Sequence, residues 1–114
     1  MNDCLFCGII DGKIKADVVY RDEAVVAFKD IVPRAPVHIL IIPRKHIANA
    51  SEFTASDSTV AGAILLAAAH LAEQFGVAES GYRIVVNSGA DAGQTVFHLH
   101  FHLLGGRSMS WPPG

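Results

Sequence analysis

One stretch constrains this chain more than any other. Phe97-His98-Leu99-His100-Phe101-His102-Leu103-Leu104 alternates apolar and imidazole side chains. Successive side chains of a strand point to opposite faces, so the run predicts a strand over 97–104. Phe97, Leu99, Phe101 and Leu103 would form a core stripe. His98, His100 and His102 would stand in a row on the other face, spaced about 6.6–7 Å. A merely solvated sheet face would more often carry Thr, Lys or Glu.

The remaining elements are short and punctuated by Gly and Pro. Residues 18–20 and 24–28 are β-branched or aromatic runs around Arg21-Asp22-Glu23 and read as a hairpin. Residues 37–42 read as a third strand closed at Pro43, after the proline-punctuated loop 30–36. Residues 82–86 form a fourth, followed by the turn-rich loop 87–94. The one long helix spans 56–75, with Ser56 or Asp57 to cap it and Gly76 to stop it. Val60, Ile64, Leu65, Ala68, Leu71, Ala72 and Phe75 recur at helical spacing and predict one apolar face, for a core or dimer contact. Five strands and one main helix without strict βα alternation predict an α+β domain with an antiparallel sheet, one domain over 1–114.

Composition narrows the function. In 114 residues the net charge is -2, which opposes a nucleic-acid binder or a polybasic membrane anchor. Hydrophobic residues make up 51%, which excludes intrinsic disorder and leaves apolar surface for an oligomer interface. The longest apolar run, 60–69, has ten residues, where a membrane span needs about 20. Asn2 and Asp3 do not open a secretory signal, so a cytoplasmic, reducing location is expected. There Cys4-Leu5-Phe6-Cys7 would be thiols or metal ligands; the C-x-x-C spacing alone is open between redox and zinc use.

Three aligned imidazoles suggest either a metal site or nucleophilic catalysis. The loop Gly93-Gln94-Thr95 upstream offers backbone N–H groups and a hydroxyl suited to phosphate oxygens. Together they point to phosphoryl or nucleotidyl chemistry. His70, on the long helix, has no partner in this pattern and reads as structural or exposed.

At this point the chain resembles the histidine-triad (HIT) family, in its Hint branch. The resemblance rests on His98-Leu99-His100-Phe101-His102-Leu103-Leu104, on Phe28-Lys29-Asp30-Ile31, and on Ala35-Pro36-Val37-His38. It continues through Ile42-Pro43-Arg44-Lys45-His46-Ile47, Tyr82-Arg83-Ile84-Val85-Val86-Asn87, Gly93-Gln94-Thr95-Val96, and a tail from Gly105-Gly106-Arg107 to Trp111-Pro112-Pro113-Gly114. It implies a five-stranded antiparallel sheet with one long and one short helix, and a homodimer joining two sheets into ten strands. It also implies hydrolysis of purine nucleoside 5′-phosphoramidates of the AMP-NH2 or AMP-lysine type, with no organic cofactor.

On that likeness His100 is the nucleophile and forms a nucleotidyl-histidine. His102 holds phosphate oxygens, His98 is the first histidine of the triad, His38 sits near the leaving amine, and Thr95 contacts phosphate or leaving group. Asn87, Gly93 and Gln94 help hold ribose and phosphate, and Asp30 takes the ribose hydroxyls. Leu5, Phe6, Ile9, Phe28, Ile31 and Leu40 line the base pocket. Trp111 reaches toward the partner subunit's site. Some bacterial relatives carry a structural Cys2His2 zinc site, which here would be Cys4, Cys7, His46 and His98. The chain departs from the family pattern at Lys15, where proline is usual, at Thr95, often serine, and at Lys29, a variable position. Two other readings stay open: a metal-dependent hydrolase with His98, His100 and His102 as three ligands, and a nucleotide-binding module with little catalysis.

Overall fold

The computed structural model describes residues 4–114; Asn2 and Asp3 lie outside the described residues. Five strands form one antiparallel sheet in the order β1-β2-β3-β5-β4. They are β1 (Val18–Arg21), β2 (Val25–Lys29), β3 (Val37–Pro43), β4 (Tyr82–Val86) and β5 (Phe101–Gly105). A six-residue helix, α1 (Leu5–Ile10), precedes the sheet, and α2 (Ser58–Gln74) crosses one face of it. The expected α+β architecture with one long and one short helix is what the chain forms.

Alternation along β2 and β3 sorts the core into two. Val25, Ala27, Ile39 and Ile41 pack with Leu103 against Ile64, Ala67, Ala68, Leu71 and Ala72 of α2. Val26, Phe28, Leu40 and Ile42 face the other way and pack with Phe6 and Ile9 of α1. The helix starts one turn early in 3-10 geometry, over Ala55–Asp57. Of the two expected caps, Asp57 stands at the N-cap of α2, while Thr54 opens the turn before it and its backbone N–H donates to the Asp57 carboxylate at 2.9 Å. Gly76 ends the helix at φ +74°, a conformation that costs glycine little.

Two expectations need correction. Leu65 is 49% exposed, one step outside the buried stripe set by Ile64 and Ala68. The fifth strand begins at Phe101, not at residue 97. Over 97–100 the chain answers to other partners: the Leu99 N–H donates to the Ile47 carbonyl at 2.6 Å, and the His98 carbonyl accepts from the His100 ring. Phe97 is 61% exposed and leaves the core stripe, while Leu99 and Leu103 are fully buried in it.

The helix Ala55–Gln74 is long and apolar enough to cross a membrane by length and composition, because interrupted apolar runs pass where the ten-residue run alone does not. Its buried stripe packs on the sheet as a core helix.

Candidate active site

The face of the sheet opposite α2 carries an open cavity of about 370 Å³. Phe28, Leu40 and His102 reach it from three adjacent strands, in register through Phe28↔Leu40 and Leu40↔His102. Helix α1 closes one wall with Phe6 and Ile9, both buried. Phe6 sets its ring edge-on to His100 at 5.1 Å and to Phe28 at 5.4 Å. All six apolar residues expected around a base, Leu5, Phe6, Ile9, Phe28, Ile31 and Leu40, line this cavity. So do Asp30, Thr95, His100 and His102. Sequence reading missed Ile14, Lys15, Ala16, Lys29 and Val96, which also line it. Ile14 to Ala16 form an irregular strap between α1 and β1, where no periodicity announces a site.

Hydrogen bonds fix which imidazole nitrogen carries a proton. The His100 Nδ1 lies 2.8 Å from the His98 carbonyl, which can only accept. Neutral His100 therefore bears its hydrogen on Nδ1 and keeps a lone pair on Nε2. The Arg34 backbone N–H donates to His38 Nδ1 at 3.0 Å, so the His38 hydrogen sits on Nε2. That atom lies 2.9 Å from His102 Nδ1 and 3.4 Å from an Asp30 carboxylate oxygen. Donation to His102 Nδ1 leaves His102 with its own N–H on Nε2. The polar end thus holds one imidazole lone pair and one imidazole donor.

Burial disfavours the charged forms of His102 and His38. It pushes His102 down to about 4, and the neighbouring His100 and His38 add to the fall while Asp30 opposes it. His38 is lowered too, by burial first and by Arg34, against the pull of Asp30. Asp30 itself is braced, its carboxylate accepting from the Val32 backbone N–H at 2.9 Å.

Not every expected residue reaches the cavity. His38 lies behind His102 and outside the lining, so it acts on the cavity through His102. Gln94 is buried and braces its loop: its amide nitrogen donates to the Ala48 carbonyl at 2.7 Å and the Val96 carbonyl at 3.0 Å, and its oxygen accepts from Gly89 at 2.9 Å. Gly93, at φ +84°, turns that loop. Asn87, just beyond β4, and Gly93 are not in the cavity wall.

His98 serves another cluster. The ligating atoms of Cys4, Cys7, His46 and His98 all lie within 4.8 Å of one another. His98 Nδ1 is 3.3 Å from Cys4 Sγ, 3.5 Å from Cys7 Sγ and 3.1 Å from His46 Nδ1. Cys7 Sγ is 3.4 Å from His46 Nδ1. A tetrahedral ion with metal–sulfur bonds of about 2.3 Å and metal–nitrogen bonds of about 2.0 Å separates its ligands by roughly 3.3–3.8 Å, with nitrogen–sulfur pairs near about 3.5 Å. The donor set and its spacing fit a metal ion. The His98 Nε2–H donates to the Pro43 carbonyl at 2.9 Å, which leaves Nδ1 as the ligating atom. His98, His100 and His102 do not form such a group among the described residues, which removes the geometry a three-histidine metal site needs.

The HIT domain family model matches residues 11–109. The chain is 53% identical over 112 residues to an uncharacterised HIT-like protein of Synechococcus elongatus, covering 98% of this chain and 97% of that one. A HIT family hydrolase from Legionella pneumophila superposes with TM-score 0.96 at 51% identity, covering 98% and 100% of the two chains. A histidine triad nucleotide-binding protein from Candida albicans superposes with TM-score 0.84 at 31% identity, covering 96% and 83%. With its sheet and its His-x-His-x-His segment in place, the chain belongs to the HIT family.

Proposed function

We propose that this protein is a hydrolase of purine nucleoside 5′-phosphoramidates of the AMP-NH2 or AMP-lysine type, in the manner of the Hint branch, with 1–114 as one HIT domain. The observation that carries the reading is the oriented His100: its Nδ1 donates to the His98 carbonyl, so its Nε2 lone pair belongs to a cavity of nucleotide size. Apolar side chains take the base and Asp30 takes the ribose hydroxyls. His100 Nε2 attacks the α-phosphorus, the P–N bond breaks, and the amine leaves with a proton taken up from solvent through the open cavity. Thr95 and the His102 Nε2–H are donors on the cavity wall for phosphoryl oxygen and leaving group. Water then attacks phosphorus and loses a proton to solvent, which balances the one taken up with the amine; the P–Nε2 bond breaks, and the nucleoside monophosphate departs. His38 positions His102 throughout. Gly93 and Gln94 act by shaping the loop that presents Thr95.

The Cys4, Cys7, His46 and His98 group would hold zinc in a closed tetrahedral site, tying α1 to the segment before β5. Bound there, the ion supplies structure, and the chemistry stays with the imidazoles. A homodimer fits the β4 edge, whose Tyr82 and Val86 are exposed, and the exposed Leu65 and Leu66 of α2. Trp111, 81% exposed in the single chain, would extend to the partner's site. A reducing, cytoplasmic location suits a thiolate metal site.

The test is AMP release from adenosine 5′-phosphoramidate by the wild type and by His100→Ala, with and without EDTA. Turnover that survives EDTA and vanishes in the variant supports nucleophilic His100. Nucleotide binding without turnover in the wild type would leave a binding module.

A further inference from the structure

Two polar side chains of the cavity wall are not used by the reaction above, Lys15 and Lys29, and Lys15 is the one that carries an inference. It belongs to the strap 13–16, held firmly at both ends. The Lys13 and Ile14 N–H groups donate to the Gly8 carbonyl of α1 at 2.9 and 3.1 Å. Ile14 packs so tightly on Gly8 that a Cβ there would stand 2.5 Å from its Cδ1. Ala16 packs into the apolar cluster of Phe6 and Phe28. Between them Lys15 lines the cavity from an exposed position.

The sheet register says which end of a ligand meets it. His102 pairs with Leu40, Leu40 with Phe28, and Phe28 with Val18. Val18 is thus three strand spacings from His102, about 14 Å. The strap runs on from Val18 along the cavity wall. A nucleotide held by its phosphate at His100 and its ribose at Asp30 points its base toward this wall.

The other lysine of the cavity wall is committed elsewhere. The Lys29 ammonium lies 3.8 Å from the Asp17 carboxylate and 5.7 Å from the centre of the Phe75 ring. Lys15 makes no ion pair or hydrogen bond through its side chain among the described residues. An ammonium is a donor without acceptor capacity. Guanine and hypoxanthine present two adjacent acceptors, O6 and N7, and lysine is a recurrent partner of that pair. Adenine places its N6 amino group, a donor, beside N7. An ammonium facing that edge gains one acceptor and meets one donor.

We propose that Lys15 is a base-selecting residue and that the site prefers 6-oxopurine nucleotides over adenine nucleotides. This inference rests on the nucleotide reading given above. The test measures dissociation constants of guanosine, inosine and adenosine 5′-monophosphates by calorimetry, for the wild type, Lys15→Ala and Lys15→Arg, with melting temperature as the folding control. The wild type should bind the guanine and hypoxanthine nucleotides about fivefold more tightly than AMP, the low end for a solvent-exposed contact of this kind. Lys15→Ala should erase that ratio and Lys15→Arg should retain it. The corresponding phosphoramidates should show the same ratio in kcat/KM. Equal affinities in the wild type, or an equal loss for all three nucleotides in Lys15→Ala, overturn base selection while leaving the hydrolase standing. Failure of all three nucleotides to bind overturns both.

Discussion

The two faces of the sheet differ in what covers them. On one face α2, seventeen residues long, buries Ile39, Ile41 and Leu103 completely or nearly so. On the other, α1 has six residues, and the space it leaves uncovered is the cavity. Both faces are built by the same strands, residue by residue: Ile39 turns to the helix, His38 and Leu40 to the cavity side. Where a long helix closes the face, side chains contribute stability. Where a short helix leaves a gap, polar groups can be buried only as far as each finds a partner. No buried side-chain nitrogen or oxygen among the described residues lacks one.

Substitutions on the two faces should therefore fail in different ways. His100→Ala on the cavity side should lower phosphoramidate turnover by at least about 10⁴-fold, the scale of losing a nucleophile. Its melting temperature should stay within a few degrees of the wild type, because only a half-buried ring is lost. A variant that unfolds, or one that keeps turnover, breaks the division.

Ile41→Ala on the helix side inverts that pattern. It removes a fully buried side chain between β3 and α2, and should cost about 3 kcal/mol in urea unfolding. kcat at a temperature where the variant is folded should change little. A cost under about 1 kcal/mol would mean that the α2 face collapses around the gap and is not the rigid half of the molecule.

How much of this division was legible in the sequence depends on how far away each residue's partners lie. The strand 82–86 and the strand ending at Pro43 follow from local alternation and punctuation, and the structure places them there. The start of β5 does not follow. His98 and Leu99 are drawn off the ladder by Cys4 and Ile47, and those pairings span 94 and 52 residues of chain (99 − 47 for the second). The resemblance implies that Gln94 helps hold ribose and phosphate, but its amide meets the Ala48 carbonyl, a partner no local pattern reveals. The position of Lys15 on the cavity wall needs the strap to be folded back on Gly8, so from sequence it is only a departure in a turn. The apolar lining of the cavity was legible by resemblance: Phe28 and Ile31 sit within a matched motif, whereas Ile9 and Leu40 fall outside the motifs and come only from the family likeness as a whole.

The cysteine cluster tests whether the short helix is held from outside. A six-residue helix is too short to persist alone. Cys7→Ser, or treatment with a chelator, should lower the melting temperature and free α1. Phe6 would then lose a contact worth about 1.5–3 kcal/mol at full burial, and nucleotide affinity should fall about tenfold. KM should rise more than kcat falls, because Phe6 lines the cavity while the Leu99 N–H bond to the Ile47 carbonyl still holds the segment that carries His100. Protein purified with two thiols, no bound metal by elemental analysis and an unchanged melting temperature would show that α1 needs no such tie.

The smallest effect expected is on pH. Folded His102 takes up a proton only near pH 4, because its site is buried and faces His100 and His38, with Asp30 as the one opposing charge. An unfolded histidine does so near 6.5. Between those values the unfolded chain binds more protons than the folded one, so stability falls as pH is lowered through that window and is fully present above it. His38 is shifted in the same direction and adds to the slope. Melting temperature measured from pH 7.5 to 4.5 should decline, and His102→Gln should flatten the decline without abolishing it. If the wild type instead gained stability on acidification, the imidazole pair would be sharing a positive charge with Asp30. The cavity side would then be held together by an ion pair, and the neutral His102 donor assigned to the phosphoryl oxygens would be lost.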